Sequence, residues 1–121
     1  MPEEYTTLVT AMKALTQGET PNTVTLKVAE NEWETRPEDE SYGIITWDFE
    51  ADALNGNDVK LIAAHEGSFD LYSLKKDGAG WIPLIKGTLT EYCGAAWKLN
   101  HHAYERETGL FHWEWAFQVE G

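Results

Sequence analysis

Apolar and polar positions along this chain alternate in two rhythms. Tyr5, Leu8, Val9, Met12 and Leu15 recur every three or four residues, the spacing of one helix face. Pro2, Glu3 and Glu4 suit a first turn and Gly18 a stop, so a helix is expected over 3–17. After Pro21 the rhythm changes to period two. Strands are expected over 24–28 and 42–51, the latter with Ile45, Trp47 and Phe49 on one face and Ile44, Thr46, Asp48 and Glu50 on the other. Asn55-Gly56 signals a turn, and a long strand is expected over 59–74, with Gly67, Phe69 and Leu71 facing one way and Gly67 as a candidate bulge.

A Gly-containing loop, 75–80, leads to a second helix expected over 83–99, with Ile82, Ile85, Leu89, Tyr92, Cys93 and Ala96 as its stripe. Gly87 and Gly94 weaken that helix and point to close backbone packing against a sheet. A hairpin over 101–106 and 111–120 closes the pattern, turning at Thr108-Gly109. Phe111, Trp113, Trp115, Phe117 and Val119 line one face of its last strand, which must be buried against the helices or another subunit. The expected order is α-β-β-β-α-β-β. It describes a single α+β domain, residues 1–121, with two helices on one face of a mainly antiparallel sheet of about five strands.

Charge changes the picture. Residues 28–59 hold ten acids and one base, Arg36, so this stretch supplies −9 of a net −12. Such polarity disfavours nucleic acid or an anionic membrane as a binding partner. It suits lining a passage through which DNA slides, or imitating DNA toward a basic protein. The candidate acidic-loop residues are Glu38, Asp39, Glu40, Asp52 and Asp58. No signal peptide or membrane span is evident, and the protein is expected to be soluble and to begin in the cytosol.

Candidate chemistry is sparse. Cys93 is the lone cysteine, so no internal disulfide forms; it reads as a small packed residue on a helix rather than a nucleophile. Asp48, Glu50 and Asp52 alternate on one strand face, roughly 7 Å apart, which fits a solvated anionic face better than a metal site. His101 and His102 point to opposite faces, with His112 and Glu114 across the hairpin; His65 stands alone. No nucleophile elbow, phosphate loop or CxxC occurs. No enzyme, cofactor or metal is expected.

The element order resembles the tail-terminator and tail-completion (neck, head–tail joining) proteins of long-tailed phages and prophages. The stretches that carry the likeness are the opening helix Glu3–Gln17, the run Ala29-Glu30-Asn31-Glu32-Trp33-Glu34-Thr35-Arg36-Pro37 leading into Tyr42-Gly43-Ile44-Ile45, and Tyr104-Glu105-Arg106-Glu107-Thr108-Gly109-Leu110-Phe111-His112-Trp113-Glu114-Trp115. The resemblance implies a minor structural protein of the virion, assembled in the host cytoplasm. Such proteins form self-associated rings, commonly hexamers, that meet the tail tube protein or the head–tail connector while DNA passes without specific binding. Trp33, Arg36, Tyr104, Trp113 and Trp115 are the candidate subunit or partner contacts. Two alternatives remain open: an acidic DNA mimic that inhibits a DNA-binding protein, and a small metal-binding enzyme using the His-rich hairpin.

Overall fold

The computed structural model describes residues 3–33, 37, 39–50 and 64–120, with side chains for all of these except 48–50, 64 and 120. Its elements run α1 (Glu3–Lys13), β1 (Thr16–Gln17), β2 (Val24–Thr25), β3 (Lys27–Glu30), β4 (Ser41–Glu50), β5 (Ala64–Ser73), α2 (Trp81–Cys93), β6 (Trp97–Glu105) and β7 (Leu110–Glu120). β1 and β2 form a small ribbon; the other five strands form one sheet in the order β3-β4-β5-β7-β6. All its pairs are antiparallel except β3 with β4. The α+β sandwich expected from the pattern is the fold observed.

Period two sorts the sheet into two faces. Ile45 of β4, Phe69 and Leu71 of β5, and Trp113, Trp115, Phe117 and Val119 of β7 point to one side. There they pack with Tyr5, Leu8, Val9 and Met12 of α1 and Trp81, Ile85 and Leu89 of α2. The apolar stripe of β7 is thus buried by the helices of its own chain.

Several boundaries and glycine roles differ from the pattern. α1 stops at Lys13 because the chain turns out through tighter bonds, Ala14 N to Ala11 O and Leu15 N to Met12 O, so that Thr16-Gln17 can pair with β2. The strand expected at 24–28 is broken at Leu26, whose side chain is buried in the core and whose N–H bonds Leu15 O. β3 extends to Glu30 and runs parallel to β4.

α2 begins at Trp81, with Pro83 inside its first turn, where a missing N–H costs nothing. It ends at Cys93, because Gly94 takes φ 61° and donates its N–H to Thr90 O. β6 has begun by Trp97, so Ala96 is not on the helix. A Cβ on Gly87 or Gly94 would meet nothing within 4 Å, so neither marks close packing against the sheet. The close approach lies at Gly67, where a Cβ would sit 2.6 Å from both Phe117 Cζ and Thr46 O. Gly67 is a packing site, and one register shift begins at its own pair: between Trp47↔Gly67 and Glu50↔His65 β4 carries an extra residue, while the other shift falls at Leu99/His101. The Asn55-Gly56 turn and the 59–63 part of the expected strand lie outside the described residues.

Candidate functional site: the open face of the sheet

Among the described residues no helix lies over the opposite face. Its central positions are Thr46 of β4, Ser68, Asp70 and Tyr72 of β5, and His112, Glu114 and Ala116 of β7. At one side the connection from β3 to β4 lays Trp33 over Tyr42, edge to face at 6.3 Å, and Trp33 Nε1–H donates to Gly43 O at 3.2 Å. That contact explains why Tyr42 is buried. From there the rings continue across the strands. Tyr42 stacks on Tyr72 at 5.1 Å, Tyr72 on His112 at 4.3 Å and 9°, and His101 tilts against His112 at 5.2 Å.

His112 sits between two carboxylates. Nδ1 lies 3.0 Å from Glu105 Oε2 and Nε2 lies 3.2 Å from Asp70 Oδ2. Burial alone would lower the basicity of this imidazole, but hydrogen bonding to and the charge of Asp70 and Glu105 outweigh it, so its pKa stands above 6.5. The same surroundings act oppositely on Tyr72. Burial first, then the negative charges of Asp70 and Glu105, push its phenol up to about 12, so it remains neutral. Asp70 Oδ1 is buried and has no hydrogen-bond partner among the described residues.

Beyond this ladder the face dips into a groove of about 690 Å³. Ser68 and Ala116 line it where neighbouring positions carry larger side chains, and Glu66 hydrogen-bonded to Gln118 and Glu114 hydrogen-bonded to Asn100 also border it, together with Lys98.

The residues singled out in the sequence separate into distinct places. Trp33 lies on the open face. Tyr104 is 53% exposed on β6, an edge strand. Trp113 and Trp115 do not fit contact roles: they are 4% and 0% exposed, buried beneath α1 and α2. Asp39 pairs with Lys27 at 3.1 Å and Glu40 lies 4.0 Å from Lys75, both pairs exposed and individually weak. Arg36, Glu38, Asp52 and Asp58 lie outside the described residues, as do the side chains of Asp48 and Glu50. In sequence one acidic stretch precedes β4 and the other follows it; of the candidate acids only Asp39 and Glu40 fall among the described residues.

The histidines divide as alternation predicts. His101 belongs to the open face, whereas His102 stacks on Trp113 at 4.7 Å on the helix side. His112 is held by Asp70 and Glu105 rather than Glu114. Among the described residues no group of three or more His, Cys, Asp or Glu is arranged to hold a metal ion. His65 is buried against Trp47 at 5.2 Å, with Nδ1 unpartnered among the described residues. Burial raises the Cys93 thiol to about 11, which leaves it protonated and unreactive near neutral pH.

Asp70, Tyr72 and Glu105 were not singled out in the sequence as parts of a site. Alternation puts Asp70 and Tyr72 on one face, but only the register Tyr72↔His112 and Glu105↔Leu110 brings them to the same imidazole. Compared with protein-family models, curated proteins and solved structures, the chain matches none.

Proposed function

We propose that this protein is a non-catalytic assembly subunit of a long-tailed phage virion. In this reading it forms a ring that terminates the tail tube or joins the tail to the head connector. The observation that carries the reading is one-sidedness. The helices close one face of the sheet, while no described element covers the other face or the outer edge of β6, which leaves both for neighbouring protein. Leu99 and Tyr104, 49% and 53% exposed, stand on that edge strand, where a subunit contact would bury them. Alternating access to two different surfaces, an open face and a strand edge, is what a head-to-tail ring requires.

Charge supports the passage of DNA through such a ring, since a negative wall repels phosphate. Asp39 and Glu40 immediately precede β4, where they form exposed pairs with Lys27 and Lys75.

The test is light scattering across concentration, with and without Mg²⁺, followed by negative-stain imaging alone and with purified tail tubes. Closed rings with a central hole, or caps on tube ends, are expected. A chain that forms neither would overturn the reading. In rings, Asp52→Lys with Asp58→Lys is expected to slow DNA passage, and unchanged genome ejection would remove the lumen assignment.

A further inference from the structure

The strongest chemistry on the open face is the seat of His112, and it carries a consequence independent of the ring reading. An ionised carboxylate only accepts hydrogen bonds, and a neutral imidazole has a single N–H to give. Here two carboxylate oxygens face the two ring nitrogens at 3.0 and 3.2 Å. Both contacts are hydrogen bonds together only when the ring carries both protons. The three residues stand on three strands: Asp70 on β5, His112 on β7, Glu105 at the end of β6.

We propose that His112 is a proton-operated latch, which as an imidazolium on β7 holds both Asp70 of β5 and Glu105 at the end of β6, and on losing its proton keeps Asp70 and releases Glu105. The choice of Glu105 follows from burial. The Asp70 side chain is 17% exposed and the Glu105 side chain 34%. Asp70 already has one buried oxygen without a partner, so losing its remaining bond to the ring is the costlier change. The neutral ring therefore keeps Nε2–H on Asp70 and turns the Nδ1 lone pair toward Glu105, which repels it into water.

The other groups around the ring do not substitute for the lost proton. Tyr72 lies flat against the imidazole and offers its face, not its hydroxyl, as does Tyr42 behind it. His101 approaches tilted at 5.2 Å, and Glu114 is hydrogen-bonded to Asn100. Glu105 immediately precedes the turn 106–109 and follows the exposed Tyr104. Release therefore loosens the end of the hairpin and alters the edge that a partner would meet.

The test is ¹⁵N NMR of the full chain from pH 5 to 9, reading the protonation of both His112 nitrogens, with amide exchange of residues 103–111 corrected for its intrinsic pH dependence. The expected result is a doubly protonated ring at pH 6 that titrates above 6.5, with hairpin amides losing protection across the same midpoint. Glu105→Gln, which can donate to a bare Nδ1, is expected to lower the midpoint and to remove the pH dependence of exchange. A midpoint lower by one unit corresponds to about a tenfold change in the opening equilibrium. Glu107→Gln in the turn removes the same charge without touching the ring and is expected to shift the midpoint much less. A neutral ring at pH 6, a protonated Glu105, equal shifts in the two variants, or hairpin exchange indifferent to the titration would each overturn the latch.

Discussion

The two faces of the central sheet are made by the same strands, residue by residue in alternation, yet they are held together by different physics. On the helix side, Trp113, Trp115, Phe117, Phe69 and Leu71 meet two helices, and the stabilisation is area removed from water. On the open side, Tyr72, His112, Asp70 and Glu105 meet one another, and the stabilisation is ring stacking plus charge-assisted hydrogen bonds. One face is held chiefly by packed volume, the other by groups that hold and exchange protons. Alternation thus separates structural integrity from surface chemistry without separating them in the chain.

The sharpest break of this contrast is at the centre of the covered face. Trp115→Ala is expected to cost about 3–5 kcal/mol, read as a lowered denaturation midpoint at unchanged slope. Gly67→Ala comes next. Its Cβ would press on the Thr46 carbonyl, a backbone atom that cannot swing aside, so a loss of roughly 1–3 kcal/mol is expected in the same assay.

The open face is expected to respond to pH instead. The folded pKa of His112 is raised, so its contribution is fully present below the unfolded value of 6.5 and is lost as pH rises through the folded value. The stability difference between the native chain and His112→Gln should therefore shrink on going from pH 6 to 9. A difference that grows with pH would reverse the assignment. The smallest effect belongs to the edge. Leu99→Ser and Tyr104→Ser are expected to change monomer stability by no more than about 0.5 kcal/mol. In the ring reading the same substitutions weaken self-association, so concentration-dependent light scattering sharpens the contrast between fold and contact.

The covered face was legible in the sequence because period-two runs as clean as 111–119 leave little choice of which side is buried. Element ends were less legible. α1 was cut short by pairing of Thr16-Gln17 with a distant segment, and the end of α2 was set by Gly94, which in sequence looked like a packing glycine. Trp113 and Trp115 show the remaining ambiguity. Alternation says that they are buried but not by what, and here the chain's own helices suffice. The open-face cluster was hidden for another reason. Asp70, Glu105 and His112 are far apart in sequence, and only the order β5-β7-β6 makes them neighbours. Had β6 rather than β7 been placed beside β5, the same alternation would have left His112 at an edge.

That strand order also has a mechanical meaning. β5 and β6 both run opposite to β7, hence parallel to each other, and α2 bridges them while leaving a vacant lane one strand wide between. β7 follows both walls of that lane in the chain, and it makes its seams with β5 and β6 at once. The segment following the Arg106–Gly109 turn is therefore a keystone: β6 joins the rest of the sheet only through it.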